Sequence, residues 1–146
     1  MTSTSLPWAD SMKRPMLGVA LAAALLIWPF GSKKQFRLAP TAAAPGATAV
    51  ATVDGDSNGN TIVKLEVKYL APATMLHPAQ VVYVVWTEGI GRPAENQAVL
   101  KVNNDREASV TFPVPYSNFR LFITAEATPT VTAPGEQTVL AGQISP

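Results

Sequence analysis

From Thr48 to Ile144 the chain is a succession of short runs rich in Val, Ile, Thr and aromatic residues, separated by Gly, Pro, Asn and Asp, with no helical period inside them. Seven strands are predicted, over 48–54, 61–70, 81–87, 97–102, 107–114, 119–126 and 138–144. The second alternates most cleanly: Val63, Leu65, Val67 and Tyr69 share one face and Lys64, Glu66 and Lys68 the other, so one face is core and the other solvent. The sixth sets Phe119, Leu121 and Ile123 against Arg120 and Thr124. The third, VVYVVWT, is apolar on both faces, as in a strand covered on both sides or lying at a contact surface, with Tyr83 and Trp86 as packing anchors. Asn103, Asn104 and Asp105 are read as a hairpin turn, because Asn and Asp tolerate left-handed backbone angles. Seven short strands in about a hundred residues predict an all-β, immunoglobulin-like or fibronectin-like antiparallel sandwich.

Composition narrows the chemistry such a fold can carry. The 146 residues include no Cys and one His, which leaves disulfide frameworks, thiol catalysis and Cys/His metal clusters without their groups. The net charge of +1 hides an asymmetry: residues 1–37 hold five basic side chains against Asp10, whereas the remainder holds six against nine carboxylates. The predicted β-domain is therefore mildly acidic, and a basic patch for nucleic acid is not evident.

The basic surplus instead flanks an apolar run, Met16 to Phe30, preceded by Lys13 and Arg14 and followed by Lys33 and Lys34. This is the pattern of an export signal or anchor. Fifteen residues of helix span about 22 Å, short of a hydrocarbon core of about 30 Å, and snorkelling lysines with Trp28 at the interface would close the difference. No small-residue cleavage site follows at the usual distance, so an uncleaved anchor is preferred over export after cleavage. The expected organisation is a short basic cytoplasmic segment over 1–15, a signal-anchor helix over 16–30, an Ala/Pro-rich linker over 31–46 and a β-sandwich over 47–146.

Few residues offer chemistry. Asp54, Asp56, Asn58 and Asn60 match the first half of a calcium loop, in which oxygen ligands at alternate positions converge on one cation. The twelfth position, however, is Leu65 where a bidentate Glu is needed, and a solvated Asp/Asn/Gly hairpin is the preferred reading. No cofactor is expected, with calcium as the secondary reading. His77, before Pro78, is read as a loop histidine, and Glu126, at a strand end, as a carboxylate that binds nearby backbone or caps a turn. An enzyme is not expected.

The segment 83–142 resembles the extracytoplasmic domain of anti-sigma-K factors. The resemblance rests on Tyr83-Val84-Val85-Trp86, then the turn Gly89-Ile90-Gly91-Arg92-Pro93, then Phe122 to Pro129 (FITAEATP) and Pro134 to Gly142 (PGEQTVLAG), in that order and at similar spacing. Ala127 stands where the family has the Pro of a Glu-Pro pair, and the family's zinc-binding cytoplasmic domain has no counterpart in the fifteen residues ahead of Met16. The resemblance implies a β-domain outside the cytoplasmic membrane. Binding surfaces for an envelope protein or a membrane-spanning regulator are expected on an exposed rim of Trp86, Gly89 and Arg92 and on the loop holding Thr128, Pro134 and Gly135. A structural or adhesive exported surface protein, steadied by calcium, is the alternative.

Overall fold

The computed structural model describes residues 33–146, and the expected basic segment and anchor helix lie outside them. Eight strands form the domain: β1 (Lys34–Pro40), β2 (Thr48–Gly55), β3 (Thr61–Lys68), β4 (Val82–Gly89), β5 (Glu95–Leu100), β6 (Ala108–Val114), β7 (Phe119–Glu126) and β8 (Thr138–Ile144). All pairings are antiparallel, in the order β5-β4-β7-β8-β1-β2-β3-β6. The end strands β5 and β6 approach without pairing, so the sheet curls into a nearly closed, barrel-like form. Among the described residues the only helical piece is a single 3-10 turn, Ala73–Met75, and no helix is long and apolar enough to cross a membrane.

The all-β expectation is met, and the seven predicted strands are all present with ends shifted by up to two residues. Two expectations are corrected. Residues 34–40 are not linker but β1, the strand that joins the two halves of the sheet: Lys34 to Leu38 pair with β2, and Ala39 and Pro40 pair with β8. Its sequence, KQFRLAP, hides this role because Leu38 alone is fully buried and Phe36 half-buried, too little periodicity to mark a strand. The Asn103 to Asp105 turn is likewise not a hairpin. It carries the chain from β5 in one half to β6 in the other, with the Asn103 side chain accepting from the Asp105 and Glu107 amides and Arg106 in the left-handed region at φ 61°.

The core fills the inside of the curl. Val63, Leu65 and Val67 of β3 point inward with Ala49, Ala51 and Val53 of β2, and they meet Tyr83 and Val85 of β4, Leu121 and Ile123 of β7, and Leu140 of β8. Lys64, Glu66 and Lys68 stand in solvent on the opposite face, as the alternation requires. The Tyr83 hydroxyl donates to the Ala71 carbonyl at 2.6 Å, and burial pushes its pKa up to about 12.

β4 and β7 are covered on both faces. Opposite the main core, Val84, Trp86 and Phe122 form a second apolar cluster, with Val82, Ala94, Val131 and Ala141 packed against it. Val131 belongs to the β7–β8 connection, so the loop after β7 folds back over the outer face of its own strand. This accounts for the apolar character of VVYVVWT on both sides.

Candidate functional site

Strand pairing sorts the connections into two ends. Val82 pairs with Glu126 and Gly89 with Phe119, so the eight residues of β4 separate these two levels by about 23 Å. The Gly89 end also holds Lys34, where β1 begins, and the β2–β3 turn. The Glu126 end holds the β3–β4, β5–β6 and β7–β8 connections.

At the Glu126 end a polar chain runs through the outer face. The Trp86 indole Nε1 donates to Thr124 Oγ1 at 2.7 Å, and the Thr124 hydroxyl donates to Glu126 Oε2 at 3.1 Å. The Gly135 backbone N–H donates to both carboxylate oxygens, at 2.9 and 3.1 Å. Glu126 and Thr124 are buried, and among the described residues this carboxylate is satisfied by one hydroxyl and one amide, without a cation. Gly135 is favoured by close approach, not by φ: a Cβ there would lie 2.7 Å from Glu126 Oε1, and the carboxylate would have to shift. A second clasp sits further along, where Asn96 Nδ2 donates to the carbonyls of Pro129 and Val131 at 3.1 and 3.0 Å. Residues 127–137 are thus a strap, fixed at both clasps and by Val131 on Trp86 and Phe122, with Thr128, Pro129 and Thr130 turned to solvent.

Beside the strap lies a cleft of about 430 Å3, bordered by His77, Gln80, Glu126, Gly135, Glu136 and Gln137. Its wall is tied across the β3–β4 connection: Gln80 Nε2 donates to Gln137 Oε1 at 3.3 Å, and Gln137 Nε2 donates to the Pro78 carbonyl at 3.2 Å. His77 and Glu136 are exposed at its mouth.

The residues expected to form one binding rim are not brought together. Trp86 is corrected from exposed rim to fully buried; it stacks on Phe122, ring centroids 6.4 Å apart, and serves the strap from beneath. Gly89 is buried too, because Arg92 and the Tyr116 ring close over it. Arg92 is exposed, its guanidinium 5.2 Å from the Tyr116 ring centroid, a cation–π distance. Thr128, Pro134 and Gly135 lie on the strap at the other end: Thr128 and Gly135 exposed, Pro134 half-buried.

The Asp54 to Asn60 segment folds as a tight β2–β3 turn. Asp56 Oδ1 accepts from the Asn58 and Asn60 amides, both at 2.8 Å, and Oδ2 accepts from Asn60 Nδ2 at 3.1 Å. Asp54 Oδ1 turns back to the Gly55 amide. The hydrogen bonds from Asn60, backbone and then side chain, hold the Asp56 carboxyl below its usual range. Asn60 presents its amide nitrogen, not its oxygen, to Asp56, so the oxygens of the turn point at its own donors instead of converging on a shared point. Among the described residues no three His, Asp or Glu side chains come close enough together to hold a metal ion.

Glu126 was legible as a backbone-binding carboxylate, since an acidic residue at the end of an apolar strand needs a donor nearby. Gln80, Asn96, Glu136 and Gln137 carry no comparable signal, because polar residues in connections are ordinary until folding brings them to one place. In comparisons with family models, curated proteins and solved structures, the chain matches none.

Proposed function

We propose that this chain is a non-enzymatic interaction or sensory module, tethered to the cytoplasmic membrane by residues 16–30, with its β-domain outside the cytoplasm in the manner of the outer domain of an anti-sigma-K factor. The observation that carries the reading is the strap. An exposed loop held by a buried carboxylate, an asparagine clasp and an apolar underside is preorganised, and a preorganised loop on a rigid sheet loses little entropy when it meets a partner. Within the barrel-like sheet we read a fibronectin-like sandwich with one added strand. Counting from β2, the first, second and fifth strands lie in one half and the third, fourth, sixth and seventh in the other, with β1 bridging the halves. Within the β-domain, β1 begins at the Gly89 end and the strap lies at the far end, and we read the strap as the surface that meets an envelope protein or membrane-spanning regulator.

The test is site-specific photocrosslinking of the full chain in intact cells, with the crosslinker at Thr128 or Thr130 on the strap, at Arg92 at the opposite end, and at Lys64 on the solvent face of β3. A discrete protein adduct from the strap positions alone is the expected result. Adducts equal at all positions, or none at any, would overturn the reading.

A further inference from the structure

The geometry points to the cleft beside the strap as a binding site for an organic cation, a guanidinium or primary ammonium group. The assignment goes further than the interaction reading by naming what the far end recognises. It is separately testable, because cation binding by the purified chain needs no partner. Three observations carry it. First, the cleft has a volume of about 430 Å3, within the ordinary range for small-ligand sites of ~300–1,000 Å3. Second, its floor is the Glu126 carboxylate, only 6% exposed, whose charge is met by neutral donors alone. Those neutral donors offset part of the cost of withdrawing a carboxylate from water and a cation would offset more, yet the ion pairs among the described residues are Lys64 with Glu66 and Arg120 with Glu88, both elsewhere. Third, a second carboxylate, Glu136, stands at the mouth, and among the described residues no Lys or Arg borders the cleft and His77 is its one basic side chain.

The spacing favours an organic cation over a metal ion. His77, Glu126 and Glu136 do not close to metal-ligating distance, whereas a planar guanidinium or an extended ammonium reaches carboxylates that are further apart. Among the described residues Glu126 Oε1 accepts from the Gly135 amide alone and keeps capacity for one more donor. The Gln80 and Gln137 side chains beside it add acceptor oxygens for the remaining N–H groups.

The test is a 1H–15N NMR titration of the purified full-length protein with agmatine and, separately, with a capped arginine tripeptide, at matched ionic strength. Sodium chloride and sodium propionate serve as controls. Saturable shifts of the Gly135 and Gln137 amides, absent in both controls, are expected. Tighter binding of agmatine assigns the site to a free small amine, and tighter binding of the tripeptide assigns it to a protein side chain. Glu136→Gln, which disturbs none of the strap's hydrogen bonds, should weaken binding about threefold to fivefold, as for one partly solvated charge pair. Glu126→Gln should abolish it, and the Trp86 indole signal reports whether the strap survives. Non-saturating shifts, equal shifts with sodium chloride, or unchanged affinity in Glu136→Gln would overturn the assignment.

Discussion

Replacing Gly135 with Ala tests the strap at a single methyl group. Gly135 is not in the left-handed region, so the backbone accepts an L-residue there and the cost is purely one of space. The new Cβ would lie 2.7 Å from Glu126 Oε1 and 3.1 Å from Oε2, distances that carbon and oxygen do not share without movement. The carboxylate must swing away, which breaks the bonds from the Gly135 amide at 2.9 and 3.1 Å and strains that from the Thr124 hydroxyl at 3.1 Å. The two amide contacts share one N–H and count once. One hydrogen bond to a charged group contributes ~1.5–3 kcal/mol, so with partial loss of the second the expected destabilisation is ~2–3 kcal/mol. For a domain of this size that lowers Tm by ~10 °C. Urea unfolding followed by circular dichroism measures it, and a double-mutant cycle with Glu126→Ala isolates the cause. With the carboxylate removed, Gly135→Ala should be neutral, or stabilising by ~0.4–1 kcal/mol through the unfolded chain. An equal cost in both backgrounds would refute the reasoning, and so would a cost below ~0.5 kcal/mol in the native background.

Other perturbations separate the remaining parts of the account. Leu38→Ala should cost ~2–4 kcal/mol in the same unfolding assay, because Leu38 is buried in the core; a change near zero would return residues 34–40 to linker. Trp86→Phe keeps the apolar cover but deletes the indole donor to Thr124, so a loss of ~1 kcal/mol is expected, with faster exchange of the Gly135 amide. The Asp56 carboxyl should titrate below its usual value of 3.8, and Asn60→Ala, which removes the side-chain donor and keeps the backbone ones, should move it only part of the way back. Its folded-state pKa is the lower one, so its contribution is present above pH 3.8 and fades as pH falls through the folded value. Tyr83 is the opposite case. Its folded pKa of about 12 lies above the ordinary 10.0, so its contribution is full below pH 10 and is lost as pH rises toward 12. Ultraviolet titration should show one tyrosine ionising near 12, and Tyr83→Phe should remove it.

Periodicity exposed what periodicity governs. The alternation matches β3 from Thr61 to Lys68, but Tyr69, expected on the core face with Val63, Leu65 and Val67, lies past the strand's end, 67% exposed and at φ 59°, because the backbone turns there. The apolar doublets of VVYVVWT fit a strand covered on both faces. What covers the outer face was not legible. Thr124 reads as a solvent residue by alternation, yet it is buried, because the strap returns over it from a segment whose Thr and Pro content resembles any loop. By sequence Trp86 reads both as a packing anchor and as an exposed rim residue; the structure buries it fully as an anchor, for the same reason. β1 was missed because it is a bridging strand with a single fully buried side chain, so its assignment depends on partners at both ends of the sequence. Gly135 and Glu126 are nine positions apart and carry no joint pattern; their meeting depends on the length of the strap.

The most direct test of a tethered outer module is topological. Cells expressing the full chain with a C-terminal tag are fractionated, and spheroplasts are treated with external protease. The account predicts that the tag pellets with membrane and is digested from outside. A tag that is protected in intact spheroplasts and digested only after lysis would place the β-domain in the cytoplasm and contradict it.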